Sequence, residues 1–179
     1  MAIVLLGCTQ TEGSTMGTGT QAGALAPEDE ASVRKVVSEF ANTWNRHDMK
    51  AMHELNAEGV EWINITGNHW RGNATVYKGH DIIHRTIFAN TSMSVEEVQV
   101  RALSAEVAIA VATMMFGPVM APSGQEISEL KTRGSFVLVN QGGEWKVVHF
   151  QNTSVDPEAE RNDPITWDST GYLPGRSTN

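Results

Sequence analysis

The sequence predicts an α+β domain in which a cone-shaped, curved antiparallel sheet wraps against three N-terminal helices. Three observations predict it. Apolar residues recur with helical spacing in segments between residues 27 and 90. From Met93 onward the pattern changes to period two, the mark of half-buried strands. The long strands also follow one another through short turns, which makes neighbours antiparallel and leaves the helices to cover one face. A strongly curved sheet held against a long helix leaves a conical cavity. Residues from the helices and from alternate strand positions would line it.

Each element has a local reason. In "APEDEASVRKVVSEFANTWNRHD", Pro27 suits a first helical position, and Glu28, Asp29 and Glu30 suit the positive end of a helix. Val33, Val36, Val37, Phe40 and Trp44 then fall on one face. Asp48 is placed to cap a second, short helix with Met49, Met52 and Leu55 turned inward. "GVEWINITG" reads as a strand and "NHWRG" as a turn into a short return strand. Asn73 is expected to cap a third helix over residues 74–90, with Val76, His80, Ile83, His84, Ile87 and Phe88 along its inner stripe. "SVEEVQVRAL" and "EVAIAVATMMF" pair around Ser104 and Ala105, and a loop, "GPVMAPSGQEIS", follows. "LKTRGSFVLVN" and "EWKVVHFQN" form a hairpin around Gln141, Gly142 and Gly143, where glycine supplies the positive φ of the turn.

Composition sets the outer limits. The chain of 179 residues carries a net charge of −8 and no Lys/Arg cluster. A nucleic-acid partner is therefore not expected, because phosphate binding needs a basic footprint. The single cysteine, Cys8, excludes an intramolecular disulfide. It ends the run "MAIVLLGC", which resembles the end of a bacterial lipoprotein signal, although no Lys or Arg precedes the apolar residues. The domain division expected is thus a short lipoprotein signal over residues 1–8, a Thr/Gly/Ser-rich linker over 9–26, the folded domain over 27–155 and a polar tail over 156–179. Trp167 and Tyr172 are possible anchor points within the tail. A lipid anchor at Cys8 would place the protein in the bacterial cell envelope; without a signal it would be cytoplasmic.

Several strings resemble the nuclear-transport-factor-2-like superfamily, and within it the SnoaL-like, SgcJ/EcaC-type proteins. They are Trp44 with Asp48, "VEWINITGNHWRG", His84 with Arg85, "TRGSFVLV" and "GGEWKVVHFQNTSV". The resemblance implies a cone-shaped α+β barrel of the ketosteroid-isomerase-like fold, a homodimer through the sheet, and a pocket at the wide end. It does not fix the chemistry, since related folds host isomerases, cyclases, hydrolases and binding proteins. In the steroid-isomerase branch a carboxylate on the corresponding strand abstracts a proton. Asn64 stands at or near that position, and an amide cannot act as a base at neutral pH.

The residues themselves suggest a site. By alternation, His149 and Gln151 share a strand face with Trp145 and Val147, and Lys146 marks the other face as outward. His149 and Gln151 are therefore expected to point inward, unless a dimer interface buries the outer face. His149 reads either as a pocket acid/base or as a satisfied core or interface histidine. His80 and His84 lie at i and i+4. That spacing suits two metal ligands, but no HExxH motif and no tight cluster accompanies it, so neither metal nor cofactor is expected. Trp44, Trp62, Trp70 and Phe136 offer flat apolar walls, with His69, His80, Gln151 and Asn152 as polar lining. Ala108, Ala110 and Ala112 either leave space for a ligand or let a helix or partner sheet approach closely. The function expected is a pocket for a hydrophobic, ring-bearing small molecule of polyketide- or steroid-like kind. His149, His84 and Asn64 would be the catalytic candidates if acid/base chemistry occurs. The alternatives are a non-catalytic ligand-binding envelope lipoprotein, or a dimeric interaction module with a vestigial pocket.

Overall fold

A computed structural model describes residues 24–121 and 123–166. Cys8, most of the linker, Trp167 and Tyr172 lie outside the described residues. The order is α1 (Pro27–Asn45), α2 (Met49–Glu54), β1 (Asn56–Ile63), β2 (His69–Arg71), α3 (Asn73–His84), β3 (Ser92–Ala102), β4 (Val107–Gly117), β5 (Val119–Met120), β6 (Glu126–Ile127), β7 (Leu130–Gln141), β8 (Glu144–Ser154) and α4 (Pro157–Arg161), with a 3-10 turn at Pro164–Thr166.

α1 forms for the reasons its sequence gives: Pro27 sits in the first turn with three acids, and Val33 and Val37 are fully buried. Asp48 caps α2 by accepting from the Ala51 amide at 3.0 Å. α3 departs from expectation twice. Gly72, at φ 79°, takes the cap position, and the helix stops at His84, with turns continuing to residue 90. Gly72 fits because only glycine holds that backbone without strain. The early stop coincides with Thr86, whose hydroxyl donates back to the Ile82 carbonyl at 2.9 Å and competes with the helical pattern.

The main sheet runs β2-β1-β8-β7-β4-β3. β3, β4, β7 and β8 pair antiparallel, as successive strands should. β1 corrects the all-antiparallel expectation by pairing parallel with β8, so the sheet is mixed. Sequence adjacency reports hairpins; β1 meets β8 only because the helical layer carries it back across the sheet. The loop after β4 also contains a small second sheet, β5 with β6.

α1 lies on the concave face and is pinned at several points. Arg34 Nη1 donates to the Val98 carbonyl at 2.8 Å. The Asn45 amide donates to the Met93 carbonyl and accepts from the Met93 amide, each at 2.8 Å, as a strand neighbour would. Trp145 Nε1 donates to Asp29 Oδ1 at 3.0 Å. Ala108, Ala110 and Ala112 are fully buried within the core. Phe136 and Leu138 fill the space beside them with no exposure. The described part of the tail folds over the domain. Asp156 caps α4, and Glu160 accepts from Lys131 at 2.9 Å and from Arg133 at 2.8 Å.

Candidate functional site

Where α1 ends, the two layers part. Its C-terminal half, α3 and the ends of β1, β2, β4, β7 and β8 surround a cavity of about 290 Å³. Phe40, Trp44, Trp62, Trp70, Phe88, Phe116 and Phe150 supply most of the wall, with Ile65, Ile83, Ile87 and Leu130. The polar contributors are Asn64, Thr66, Asn68, His80 and Asn152, and no lining residue is acidic or basic beyond the histidine. Trp62 lies 4.1 Å from Phe150 between ring centres, at 30°. Trp70 crosses from β2 onto α3 at Gly79, where an added Cβ would fall 2.7 Å from the indole. That glycine allows the tryptophan to close the wall.

The last long strand decides which of its residues reach the cavity. Val137 pairs with His149, but Leu138 pairs with Val147, so Val148 has no cross-strand partner. This bulge inserts one residue and reverses the alternation beyond it. Trp145 and Val147 are buried before it; Phe150 is buried and Asn152 lines the cavity after it. His149 and Gln151 therefore face away from the helices, on the outer side of the sheet. The inward expectation for both is corrected, because simple alternation cannot see an inserted residue.

The histidines sort into two linked pairs. His47 Nδ1 and His84 Nδ1 are 2.9 Å apart. His80 Nδ1 and His53 Nε2 are 3.2 Å apart. Behind His53, its Nδ1 lies 3.0 Å from Asn73 Oδ1, while Asn73 Nδ2 donates to the His53 carbonyl at 2.9 Å. The His80 ring stands nearly perpendicular to Trp62 and Trp70, at 4.9 and 5.5 Å between centres. Burial lowers the pKa of His53 to about 4, partly offset by the Asn73 hydrogen bond. Burial, then the nearby His47 and His53, lowers that of His84 to about 4. Burial, followed by His53 and His84, drives His80 well below its ordinary value. All three are neutral at physiological pH.

The other expected residues fall as follows. Trp44, Trp62, Trp70, His80 and Asn152 line the cavity. Phe136 is core, 5.5 Å from Phe40 and 4.6 Å from Phe150 between ring centres, and does not line it. His69 sits outside, 3.2 Å from the Glu61 carboxylate. Asn64 is at the rim, but its side-chain oxygen accepts from Thr66 N, Thr66 Oγ1 and Asn68 N, which folds the β1–β2 turn. His84 is buried behind Trp44, with ring centres 4.2 Å apart. His149, His84 and Asn64 thus do not form one catalytic group. Sequence reasoning missed His53, although it shares the i, i+3, i+4 stripe of Met49 and Met52. Among the described residues no group of three or more His, Cys, Asp or Glu could hold a metal ion. No helix among them is long and apolar enough to cross a membrane.

Residues 33–155 match the SnoaL-like domain along most of the folded part of the chain. The protein is a member of the SnoaL-like family. It has the nuclear-transport-factor-2-like fold that the strings around Trp62 and Trp145 suggest. This SnoaL-like protein is similar in structure to an uncharacterised Caulobacter vibrioides protein with a cystatin-like fold, at 25% identity and a TM-score of 0.73, over 77% of this chain and 97% of that one. A Nostoc punctiforme domain of unknown function has 18% identity and a TM-score of 0.64, over 81% and 90%. A type 2 hexachlorocyclohexane dehydrochlorinase has 11% identity and a TM-score of 0.65, over 72% and 86%. The last two likenesses show the fold alone. No curated protein sequence matches.

Proposed function

We propose that this SnoaL-like protein binds an uncharged, ring-bearing hydrophobic small molecule in the cavity between α1, α3 and the sheet. One observation carries the reading: seven aromatic side chains surround a 290 Å³ space that contains no ionic lining group. Burying a charged ligand there would leave its desolvation uncompensated. Size narrows the class. At protein packing density the space holds roughly 210 Å³ of ligand, on the order of a dozen non-hydrogen atoms. That fits one or two fused rings. A four-ring steroid skeleton would have to displace the walls.

Acid/base turnover is a second reading, and His80 favours it: it is the cavity's one titratable side chain, and a second histidine orients it. It would not run through His149, His84 and Asn64. A non-catalytic role in holding the same ligand needs no further group. An interaction module would use the outer face instead. There Ile109, Val111, Val137, Val139 and Val148 remain half-exposed on one chain, which supports a homodimer through the sheet. The SgcJ/EcaC-type assignment, the anchor at Cys8 and an envelope location belong to the same proposal. They rest on the quoted strings.

Tryptophan fluorescence during titration with mono- and bicyclic compounds tests the pocket, since Trp44, Trp62 and Trp70 line it. Saturable quenching is expected, lost in Ile87→Trp, which fills the space. An unchanged spectrum across the series would sink the reading. Sedimentation of the folded domain checks the dimer, and membrane fractionation of Cys8→Ala checks the anchor.

A further inference from the structure

The hydrogen bonds behind His80 determine which of its nitrogens carries the proton. Asn73 Nδ2 donates to the His53 carbonyl at 2.9 Å, so the amide orientation is set and Asn73 Oδ1 is an acceptor. His53 Nδ1, 3.0 Å from that oxygen, must carry a hydrogen; two lone pairs would otherwise face each other. Asn56 Nδ2 lies 3.0 Å from His53 Nδ1 and 3.2 Å from the same oxygen; the Asn73 orientation fixed by the His53 carbonyl decides between them, and Asn56 donates to the oxygen's second lone pair. Neutral His53 then has a bare Nε2, and this atom lies 3.2 Å from His80 Nδ1. His80 Nδ1 is then the donor in that contact. What remains is Nε2 of His80, a lone pair without a protein partner among the described residues. It belongs to a side chain only 3% exposed that lines the cavity.

We infer that His80 is a fixed hydrogen-bond acceptor, and that the ligand is a neutral ring compound bearing a hydroxyl that donates to its Nε2. This rests on the pocket reading above and adds the functional group the pocket selects. An ether or ketone of the same shape would set its own lone pairs against Nε2. A carboxylate would do the same and bring an unpaired charge into an aromatic enclosure. An alcohol or phenol satisfies the nitrogen and keeps the ring within the aromatic walls. His53, Asn73 and Asn56 are positioning residues: they hold the tautomer and touch no ligand. The apolar cage of Trp62 and Trp70 around the imidazole makes the unmade bond costly, so the hydroxyl compound is expected to bind more tightly than its ether.

The test compares naphthol with its methyl ether on the full-length chain, with tryptophan quenching as the readout. Naphthol is expected to bind about tenfold tighter, the effect of one selective buried hydrogen bond. His80→Phe should erase the preference while still binding the ether. Equal affinity of the two probes in the wild type overturns the inference and leaves the pocket reading standing. Binding of neither removes both. A long-range proton–nitrogen NMR spectrum of the unliganded protein gives an answer that needs no variant. His80 should show a protonated Nδ1 and a bare Nε2, and the opposite tautomer overturns the inference. If His80→Phe does not fold, His53→Phe, which removes the acceptor behind His80, should reduce the preference, and His53→Gln should restore it.

Discussion

The two ends of the layer between α1 and the sheet are built from the same elements and do opposite things. At one end, Ala108, Ala110 and Ala112 on β4 are fully buried in the same core as Val33 and Val37 of α1, and Phe136 and Leu138 are fully buried with them. At the other end, larger residues on the continuation of the same elements, Phe116 on β4 and Trp44 on α1, surround the cavity. Small residues did not make the hollow; they let backbones approach until the space closed. The hollow arises where α1 ends and its last side chains span a gap that α3 does not fill. Side-chain size therefore follows the distance between layers, and a small-residue stripe is a poor marker for a ligand site.

The strongest way to break this comparison is truncation at both ends. Phe136→Ala should destabilise by about 3–5 kcal/mol, the usual range for emptying a packed aromatic site. Phe116→Ala should cost roughly half of that, because its neighbours already border open volume. Equal shifts in denaturation midpoint would mean that the two ends are packed alike. Insertion sharpens the contrast with a smaller effect. Ala110→Leu should cost about 1–3 kcal/mol through overpacking. Ile87→Phe at the cavity should be close to neutral by the same measurement.

The mildest test is acidity. His53, His80 and His84 have folded pKa values below their unfolded value of 6.5. Above that value they are neutral in both states, and their full contribution to stability is present. As pH falls from 6.5 toward 4, the unfolded chain takes up protons that the folded chain refuses, so stability declines. The loss should be slight at about pH 6 and grow with further acidification. Hydrogen exchange should show α3 and α2 loosening before α1 and β4, since the histidines lie at the hollow end. Uniform loss of protection would contradict that division.

How legible the molecule was depended on how local the cause was. α1, the Asp48 cap, the β3–β4 hairpin and the Gly142–Gly143 turn follow from spacing and backbone preference, and the structure has them where the residues imply. The aromatic wall was half legible. Trp44, Trp62 and Trp70 stood out and Phe88 fell on the inner stripe of the third helix, whereas Leu130 belongs to the cavity only because the start of β7 reaches it. His149 shows the limit most clearly. Period two assigned it to the inner face, and one inserted residue, Val148, turned it outward and brought Phe150 and Asn152 in.

The sequence by itself determined the α+β class, the order of elements and the presence of a histidine-bearing apolar face on α3, because these arise from contacts between near neighbours along the chain. Only the tertiary structure decided the parallel join of β1 to β8, the bulge that reversed the last strand, and the placement of His53 behind His80. Those features come from residues far apart in the chain meeting in space, where hydrogen-bond geometry and packing choose among arrangements that local preference leaves equal.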